Sequence, residues 1–273
     1  MTNIVNYAGN QGTNDVNDAD SKFSPFIWKD CPLRELRDGT VEGWFDEDDF
    51  MSFVPVTAGS VASFGGYHGF ADTGGTVVVA DEVGGAVTLS SDGDNEGASI
   101  ARQIKAFQIS RSHGKLWFEA RVKSSTIADT KHGFFLGLID TATLSATVPI
   151  AADGTLADEN LVGFHRLEGD GDQVDAVYKA NGVTQVTVQA DALGTALVAD
   201  TYKKLGMIYN PADYKLKFYE NGVEIASYTV VAAAGTDFPN DVRMGLVFAV
   251  LNATASTPGS STIDKFRIAQ LAA

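Results

Sequence analysis

Hydrophobic and polar residues alternate along much of this chain, most clearly between residues 114 and 139. Residues 115–123 have the sequence KLWFEARVK, which places apolar side chains on one face and mostly polar side chains on the other. A period of two with one polar face predicts a half-buried β-strand. Residues 133–139, GFFLGLI, are apolar on both faces. They predict a central strand in a sheet that is covered on both sides.

The same pattern recurs along the chain and predicts a succession of further strands. Turn sequences separate them, and Asn181-Gly182 and Asn221-Gly222 predict two-residue hairpin turns because both residue types tolerate a positive φ. The further predicted strands span residues 76–80, 85–90, 161–167, 175–180, 183–189, 202–209, 215–220, 223–230, 242–251 and 262–271.

Two segments are ambiguous. Residues 100–109 fit a helix or a strand, and we favour a strand in which Ile104 packs with Phe107 or Ile109. Residues 192–199, ALGTALVA, are the best helix candidate, although a surface loop or a strand end suits them equally. No stretch longer than two helical turns has convincing helical periodicity. The expected fold class is therefore the same whichever structure these two segments have.

These elements predict an all-β fold, a two-sheet antiparallel jelly-roll sandwich over residues 54–273 with an extended N-terminal arm. We reject two small barrels, because no Pro/Ser-rich linker divides this range and apolar central strands occur in both halves. Residues 141–160 form a long loop of small residues. Loops of this length are usually functional or contact-making.

Residues 1–53 differ from the rest and are predicted to form an extended arm and anchor. Residues 1–30 are rich in Asn and Asp, a composition that cannot bury enough apolar surface to fold alone. It fits either a disordered tail or an arm that orders on a neighbouring subunit, and the arm is our working hypothesis. Aromatic residues next to prolines suit an anchor docked in grooves. The predicted partner-binding residues are Tyr7, Phe23, Phe26, Ile27, Trp28 and Leu33.

The charge and the cysteine content narrow the expected partners. Lys and Arg number 20 against 35 for Asp and Glu, a net charge of −15. Such a surface repels phosphate backbones, so direct nucleic-acid binding is not expected. No apolar run approaches the roughly 20 residues of a membrane helix, and no hydrophobic signal segment follows Met1. With a single cysteine, Cys31, we expect synthesis in a reducing host cytoplasm and no membrane association.

The range from Lys115 to Leu271 resembles the concanavalin A-like (laminin-G/lectin/glucanase) jelly-roll superfamily. The segments GKLWFEARVK, GFFLGLI, KLGMIY, KLKFYENGVEIAS and DKFRI carry this resemblance. They also resemble virion proteins of tailed bacteriophages that have such a sandwich behind an extended N-terminal segment. The resemblance implies the fold and is silent on function, because the same sandwich serves lectins, glycanases and structural proteins.

Glycanases of this superfamily place paired carboxylates on one strand in a Glu-x-Asp-x-x-Glu arrangement, which suits retaining hydrolysis. Glu119 stands alone on its strand, with Arg121 as its neighbour on the same face. Residues 168–172, EGDGD, have alternating carboxylates but form a glycine-rich turn. Because no catalytic constellation is complete, we expect that the chain is not an enzyme.

Two weaker candidate sites remain. Asp92, Asp94 and Glu96 imitate the start of an EF-hand loop, but its twelfth position is Gln103 rather than Glu. These three residues are a weak candidate for a Ca²⁺ site, although such an acidic cluster is more commonly a solvated turn. No other cofactor is expected.

Trp117 points away from the core by alternation and is a weak ligand candidate, for sugar stacking or a subunit contact. The alternative is that it packs under a second layer.

The sequence therefore predicts a structural virion protein of a tailed bacteriophage, most simply a capsid decoration (cement) protein. Its N-terminal arm would bind the outer shell, and its partners would be the major capsid protein and copies of itself at the capsid surface. The alternative function is a glycan-binding, lectin-like domain or a receptor-binding tail or fibre module.

Overall fold

A computed structural model describes residues 22–57, 59–82, 84–128, 132–141, 143–167, 169–230, 237–252 and 259–272. Two short helices come first, α1 (Pro25–Trp28) and α2 (Leu33–Arg37). The strands are β1 (Gly43–Asp48), β2 (Val56–Thr57), β3 (Ser60–Phe64), β4 (Tyr67–Ala71), β5 (Gly75–Val79), β6 (Val87–Ser91), β7 (Glu96–Arg102), β8 (Leu116–Ser124), β9 (Gly133–Ile139), β10 (Leu161–Arg166), β11 (Asp175–Lys179), β12 (Val186–Gln189), β13 (Lys203–Asn210), β14 (Lys215–Glu220), β15 (Val223–Thr229), β16 (Gly245–Asn252) and β17 (Gly259–Leu271).

The strands form two antiparallel sheets, which confirms the predicted all-β sandwich. Sheet A has the order β15-β14-β13-β8-β17-β6-β5-β2, and β1 pairs with another part of β17. Sheet B has the order β12-β11-β10-β9-β16-β7-β4-β3. Because β1 belongs to sheet A, residues 43–48 are part of the sandwich although they fall in the range 1–53 that was assigned to the arm and anchor.

The core lies between the sheets, and further layers cover both outer faces. Phe118 of sheet A and Leu136 of sheet B belong to the same inner cluster. Outside sheet B, Leu144, Ile150 and Leu156 pack on the strands. Outside sheet A, residues around α1 and α2 do the same. Every residue of β9 is accordingly buried, as its two apolar faces predict.

The two ambiguous segments have different outcomes. The strand β7 ends at Arg102, opposite Tyr67 where its partner β4 begins, and Ile104 is 74% exposed instead of packed. Residues 192–199 contain no helix and form a loop, one of the alternatives left open, with Leu193 and Leu197 buried against the core. Among the described residues, no helix has the length and apolar character needed to cross a membrane.

Candidate functional site

A cleft of about 500 Å³ lies where the long loop 141–160 meets the β11–β12 hairpin. We call it the hairpin cleft. It combines hydroxyl, amide and charged side chains with three apolar ones. Its lining residues are Thr155, Leu156, Asp158, Leu167, Lys179, Gly182, Val183, Thr184 and Gln185.

The loop and the hairpin are tied together by hydrogen bonds at the predicted Asn-Gly turn. The backbone N–H of Gly182 donates to Oδ1 of Asp158 at 2.6 Å, and Nδ2 of Asn181 donates to the backbone oxygen of Asp158 at 2.9 Å. Gly182 has a φ of 77°, which glycine adopts without steric cost. These contacts hold the two walls of the hairpin cleft in place.

Lys179 and Asp158 provide a hydrogen-bond donor and an acceptor side by side. Nζ of Lys179 donates to the backbone oxygen of Leu156 at 2.9 Å and lies 3.8 Å from Oδ1 of Asp158. An ammonium has three N–H donors and a carboxylate has about four acceptor positions, so both groups have capacity left for a ligand. The Asp158 side chain is 65% exposed, which leaves its carboxylate accessible, whereas the Lys179 side chain is only 12% exposed.

His165 lies behind this cleft on β10 and is buried. Neither ring nitrogen makes a hydrogen bond of good geometry within the described residues. Burial lowers the pKa of His165 to about 4, although the backbone of Gly154 and the side chain of Gln185 face the ring and act in the opposite direction. The imidazole is therefore neutral near pH 7 and packs behind Gln185, which lines the cleft.

A second polar group joins the two sheets. Nδ1 of His132 lies 2.8 Å from Oδ1 of Asn252, and Nε2 lies 2.7 Å from Oγ of Ser261. Because Nδ2 of Asn252 donates to the backbone oxygen of Ser91, its Oδ1 must accept from Nδ1–H, and Nε2 then accepts from the Ser261 hydroxyl.

The order serine, imidazole, amide is that of a nucleophile, a base and an orienting group. The side chains of His132, Asn252 and Ser261 are at most 1% exposed. Burial lowers the pKa of His132 to about 4, and the charge of Arg166 acts in the same direction. In this structure the group is closed to solvent and clamps sheet A to sheet B.

The predicted partner-binding residues lie on the chain's own sandwich as far as they are described. Ile27 and Trp28 are buried against sheet A, with Phe23 and Leu33 packed beside them. Phe26 is 51% exposed and contacts Tyr219, with ring centroids 5.9 Å apart. Tyr7 lies outside the described residues. The predicted capsid function, with its partners and location, therefore depends on residues 1–21 and stays a prediction.

Trp117 and Glu119, on the outer face of β8, are covered by the same segment. Trp117 is 1% exposed, and its indole Nε1 donates to Oδ1 of Asp30 at 3.1 Å. Packing under a second layer, one of the alternatives for Trp117, is what the structure shows, so this side chain presents no free surface to a ligand.

The acidic loop between β6 and β7 uses one of its carboxylates internally. Oε2 of Glu96 accepts the backbone N–H of Gly74 at 2.7 Å, whereas Asp92 and Asp94 are exposed. Within the described ranges, no three His, Cys, Asp or Glu residues are arranged to hold a metal ion. The geometry therefore adds nothing to the Ca²⁺ hypothesis.

Sequence analysis did not identify the hairpin cleft, although two of its elements were noted. A long loop and a turn at Asn181-Gly182 are both predicted, but residues 180–185 join β11 to β12 in place of the expected two-residue turn, and of the pair only Gly182 has a positive φ. The meeting of the loop and the turn depends on contacts between residues far apart in the chain. Asp158 and Gly182 are separated by 24 positions. No spacing rule brings such residues together.

No protein-family model matches the sequence, and no curated protein matches it. Solved structures do match its fold. A protein of unknown function from Shewanella oneidensis MR-1 aligns over 88% of this chain and 94% of its own, with 14% identity and a TM-score of 0.51. The catalytic domain of an endo-1,3-β-glucanase (laminarinase) from Thermotoga petrophila RKU-1 aligns over 85% and 99%, with 12% identity and a TM-score of 0.52. An endo-acting O-glycanase structure from the human gut microbiota aligns over 83% and 98%, with 11% identity and a TM-score of 0.52.

These similarities correct the prediction that the chain is not an enzyme. That prediction depended on the missing Glu-x-Asp-x-x-Glu pattern, yet glycan-cleaving proteins share this architecture over nearly their whole length. We therefore withdraw it. At this level of identity the comparisons establish the fold alone, and the chain has the jelly-roll fold of concanavalin A-like lectins and glucanases.

Proposed function

We propose that this chain binds a glycan in the hairpin cleft. The observation that carries the proposal is the placement of Lys179 and Asp158 in one cleft with Thr184, which is exposed, and Thr155, whose hydroxyl donates to Oδ1 of Asp153 at 2.7 Å and can still accept. Sugar hydroxyls both donate and accept hydrogen bonds, so they suit a site with unused donors and unused acceptors. The half-buried side chain of Val183, also in the lining, offers contact to the C–H groups of a sugar ring.

The volume of the cleft and the net charge of the protein narrow the class of ligand. A volume of about 500 Å³ is within the range of small-molecule sites, roughly 300–1,000 Å³. The net charge of −15 disfavours strongly anionic ligands such as sulfated glycans. We therefore expect a neutral glycan or one that carries amino sugars.

The experiment is a glycan array probed with the full chain and two single variants. Thr184→Val removes an exposed cleft hydroxyl and keeps the shape of the side chain, whereas Lys215→Met changes an exposed lysine on β14, in sheet A. We expect saturable binding that Thr184→Val weakens and Lys215→Met leaves unchanged. Mass spectrometry of the bound glycan shows whether it is also cleaved. Absence of any saturable hit, or equal binding by all three proteins, would contradict the proposal.

A further inference from the structure

Five strands of the described chain pair with a neighbour on one side only, and four of them have features that discourage further pairing. Charged side chains, β-bulges and short length are the usual protections of an open sheet edge. In sheet A, β1 contains three acidic residues, β15 contains Glu224 and has a register shift against β14, and β2 has only two residues. In sheet B, β12 has a register shift against β11.

The fifth of these strands, β3, has none of these protections. It is five residues long, contains no charged side chain, and pairs with β4 without a register shift. The side chain of Val61, near its start, is 65% exposed. The whole chain has a net charge of −15, so most of its surface repels a second copy. The uncharged edge of β3 adds nothing to that repulsion.

The turn between β3 and β4 determines which backbone groups of β3 are free. Gly65-Gly66 has positive φ values of 52° and 83° and joins Phe64 to Tyr67, which lie opposite each other in the ladder. A two-residue turn of this kind closes with a pair that exchanges both backbone hydrogen bonds. Phe64 is therefore bonded to β4 through its backbone N–H and C=O.

Hydrogen bonding alternates from that pair along the strand. Ala62, two residues before Phe64, also bonds to β4, whereas the N–H and C=O groups of Val61 and Ser63 point away from it. No backbone partner for these four groups occurs in the part of the chain that the structure describes. The open edge of β3 therefore presents two donors and two acceptors in a fixed order.

This order of donors and acceptors is complementary to itself. When a second copy lies antiparallel with Ala62 of both copies at a twofold axis, Val61 of each copy is opposite Ser63 of the other. The two pairs then exchange four backbone hydrogen bonds, so all four free groups of each copy are satisfied. Such a twofold contact uses the same strand of both copies and leaves no edge of β3 for a third.

We propose that two copies of this chain form a dimer through antiparallel pairing of β3 with β3. The self-complementary order of backbone groups and the missing charge favour a second copy, because an uncharged strand has no electrostatic means of selecting an unrelated partner. Since each sheet B has eight strands, the dimer has one continuous sheet of 16. The two hairpin clefts lie toward its far ends, because β12 and β3 are the opposite edges of sheet B. The dimer does not depend on glycan binding.

The test is sedimentation velocity of the full chain over a range of concentrations, up to about 0.5 mM because an interface of one strand pair is small and weak. Val61→Lys places a charge at the open edge, and its exposed position preserves the fold, which circular dichroism verifies. The matched control is Val223→Lys, on the edge strand β15, where the valine is 67% exposed. We expect the mass to rise from one chain to two and to stop there. Val61→Lys should raise the Kd of the dimer at least tenfold, and Val223→Lys should leave it unchanged.

Disulfide trapping tests the register in the Cys31→Ser background, which lacks the chain's single cysteine. The two copies of Ala62 form a pair without hydrogen bonds, with Cα atoms about 4.5 Å apart, a distance that a disulfide spans. Ala62→Cys should therefore crosslink two chains at least tenfold faster than Val223→Cys. A monomer at every concentration, equal dimerisation by Val61→Lys, assembly beyond two chains, or equal crosslinking of the two cysteine variants would overturn the proposal.

Discussion

The indole of Trp28 donates a hydrogen bond to the carboxylate of Glu119, from Nε1 to Oε2 at 2.7 Å. Oε2 of Glu119 also accepts the backbone N–H of Ser24, with an N···O distance of 2.9 Å. Glu119 is fully buried, and the aromatic rings of the anchor shield the pair from water. A carboxylate in this position fastens the N-terminal segment to the centre of sheet A.

Replacing Glu119 should release this segment. Glu119→Ala leaves two buried N–H donors without an acceptor, and we expect the free energy of unfolding to fall by roughly 2–5 kcal/mol. Glu119→Gln retains one acceptor oxygen and should lose less. Urea unfolding followed by circular dichroism measures both, with Glu224→Gln on the exposed face of β15 as control. Equal stability of Glu119→Ala and the control would show that the contact contributes nothing.

Two buried histidines should make the protein less stable as the pH falls. Burial lowers the pKa of both His132 and His165 to about 4 in the folded state, whereas the unfolded chain binds protons near the ordinary pKa of about 6.5. Below pH 6.5 the unfolded state therefore holds more protons, and stability declines as the pH drops. We expect a loss of roughly 2 kcal/mol per histidine between pH 7 and pH 5.

The control for this prediction is His165→Leu, which removes one titrating ring from an apolar environment. The free energies of unfolding at pH 7 and pH 5, each from a urea titration, should differ less in this variant than in the original chain. Burial raises the pKa values of Asp170 and Asp175, so these carboxyl groups favour the folded state as the pH falls, which is opposite to the effect of the histidines. Both proteins contain these two residues, so their contribution cancels in the comparison. An unchanged pH dependence would contradict the assignment of His165.

The pairing of β9 with β10 should not tolerate a side chain at Gly137. A Cβ there would lie 2.2 Å from the backbone oxygen of Val162 and 2.7 Å from Cα of Gly163, so the backbone would have to move. We expect Gly137→Ala to lower the free energy of unfolding by roughly 1–3 kcal/mol or more. Gly169→Ala is the matched control, because a Cβ at Gly169 meets nothing within 4 Å. Thermal melting of the two variants compares them directly, and coincident melting curves would refute the prediction.

Local patterns predicted most of the sandwich because its strands have a simple period. The alternation in 115–123 and the doubly apolar run in 133–139 correspond to β8 and β9, and Asn221-Gly222 has the positive φ values of 48° and 82° that its turn requires. Because one face of such a strand is buried, the alternation of apolar and polar side chains within the strand itself is enough to predict it.

The sites depend instead on contacts that no local pattern contains. The polar face of β8 looked open to solvent, yet Trp117 is covered by a segment about 90 residues earlier in the chain. Likewise, Lys179 gains a role only because loop 141–160 folds back beside it. Periodicity determines which way a side chain points, and it does not determine what covers it.

The most direct test of the glycan-binding proposal is calorimetric titration of the strongest glycan hit against the full chain and Lys179→Met. Loss of a charge-assisted hydrogen bond, roughly 1.5–3 kcal/mol, should raise the Kd at least tenfold. Lys215→Met, on a different sheet, should bind as the original chain does. If Lys179→Met retains the circular dichroism spectrum and the full affinity of the original chain, the ligand binds elsewhere and the hairpin cleft is not the site.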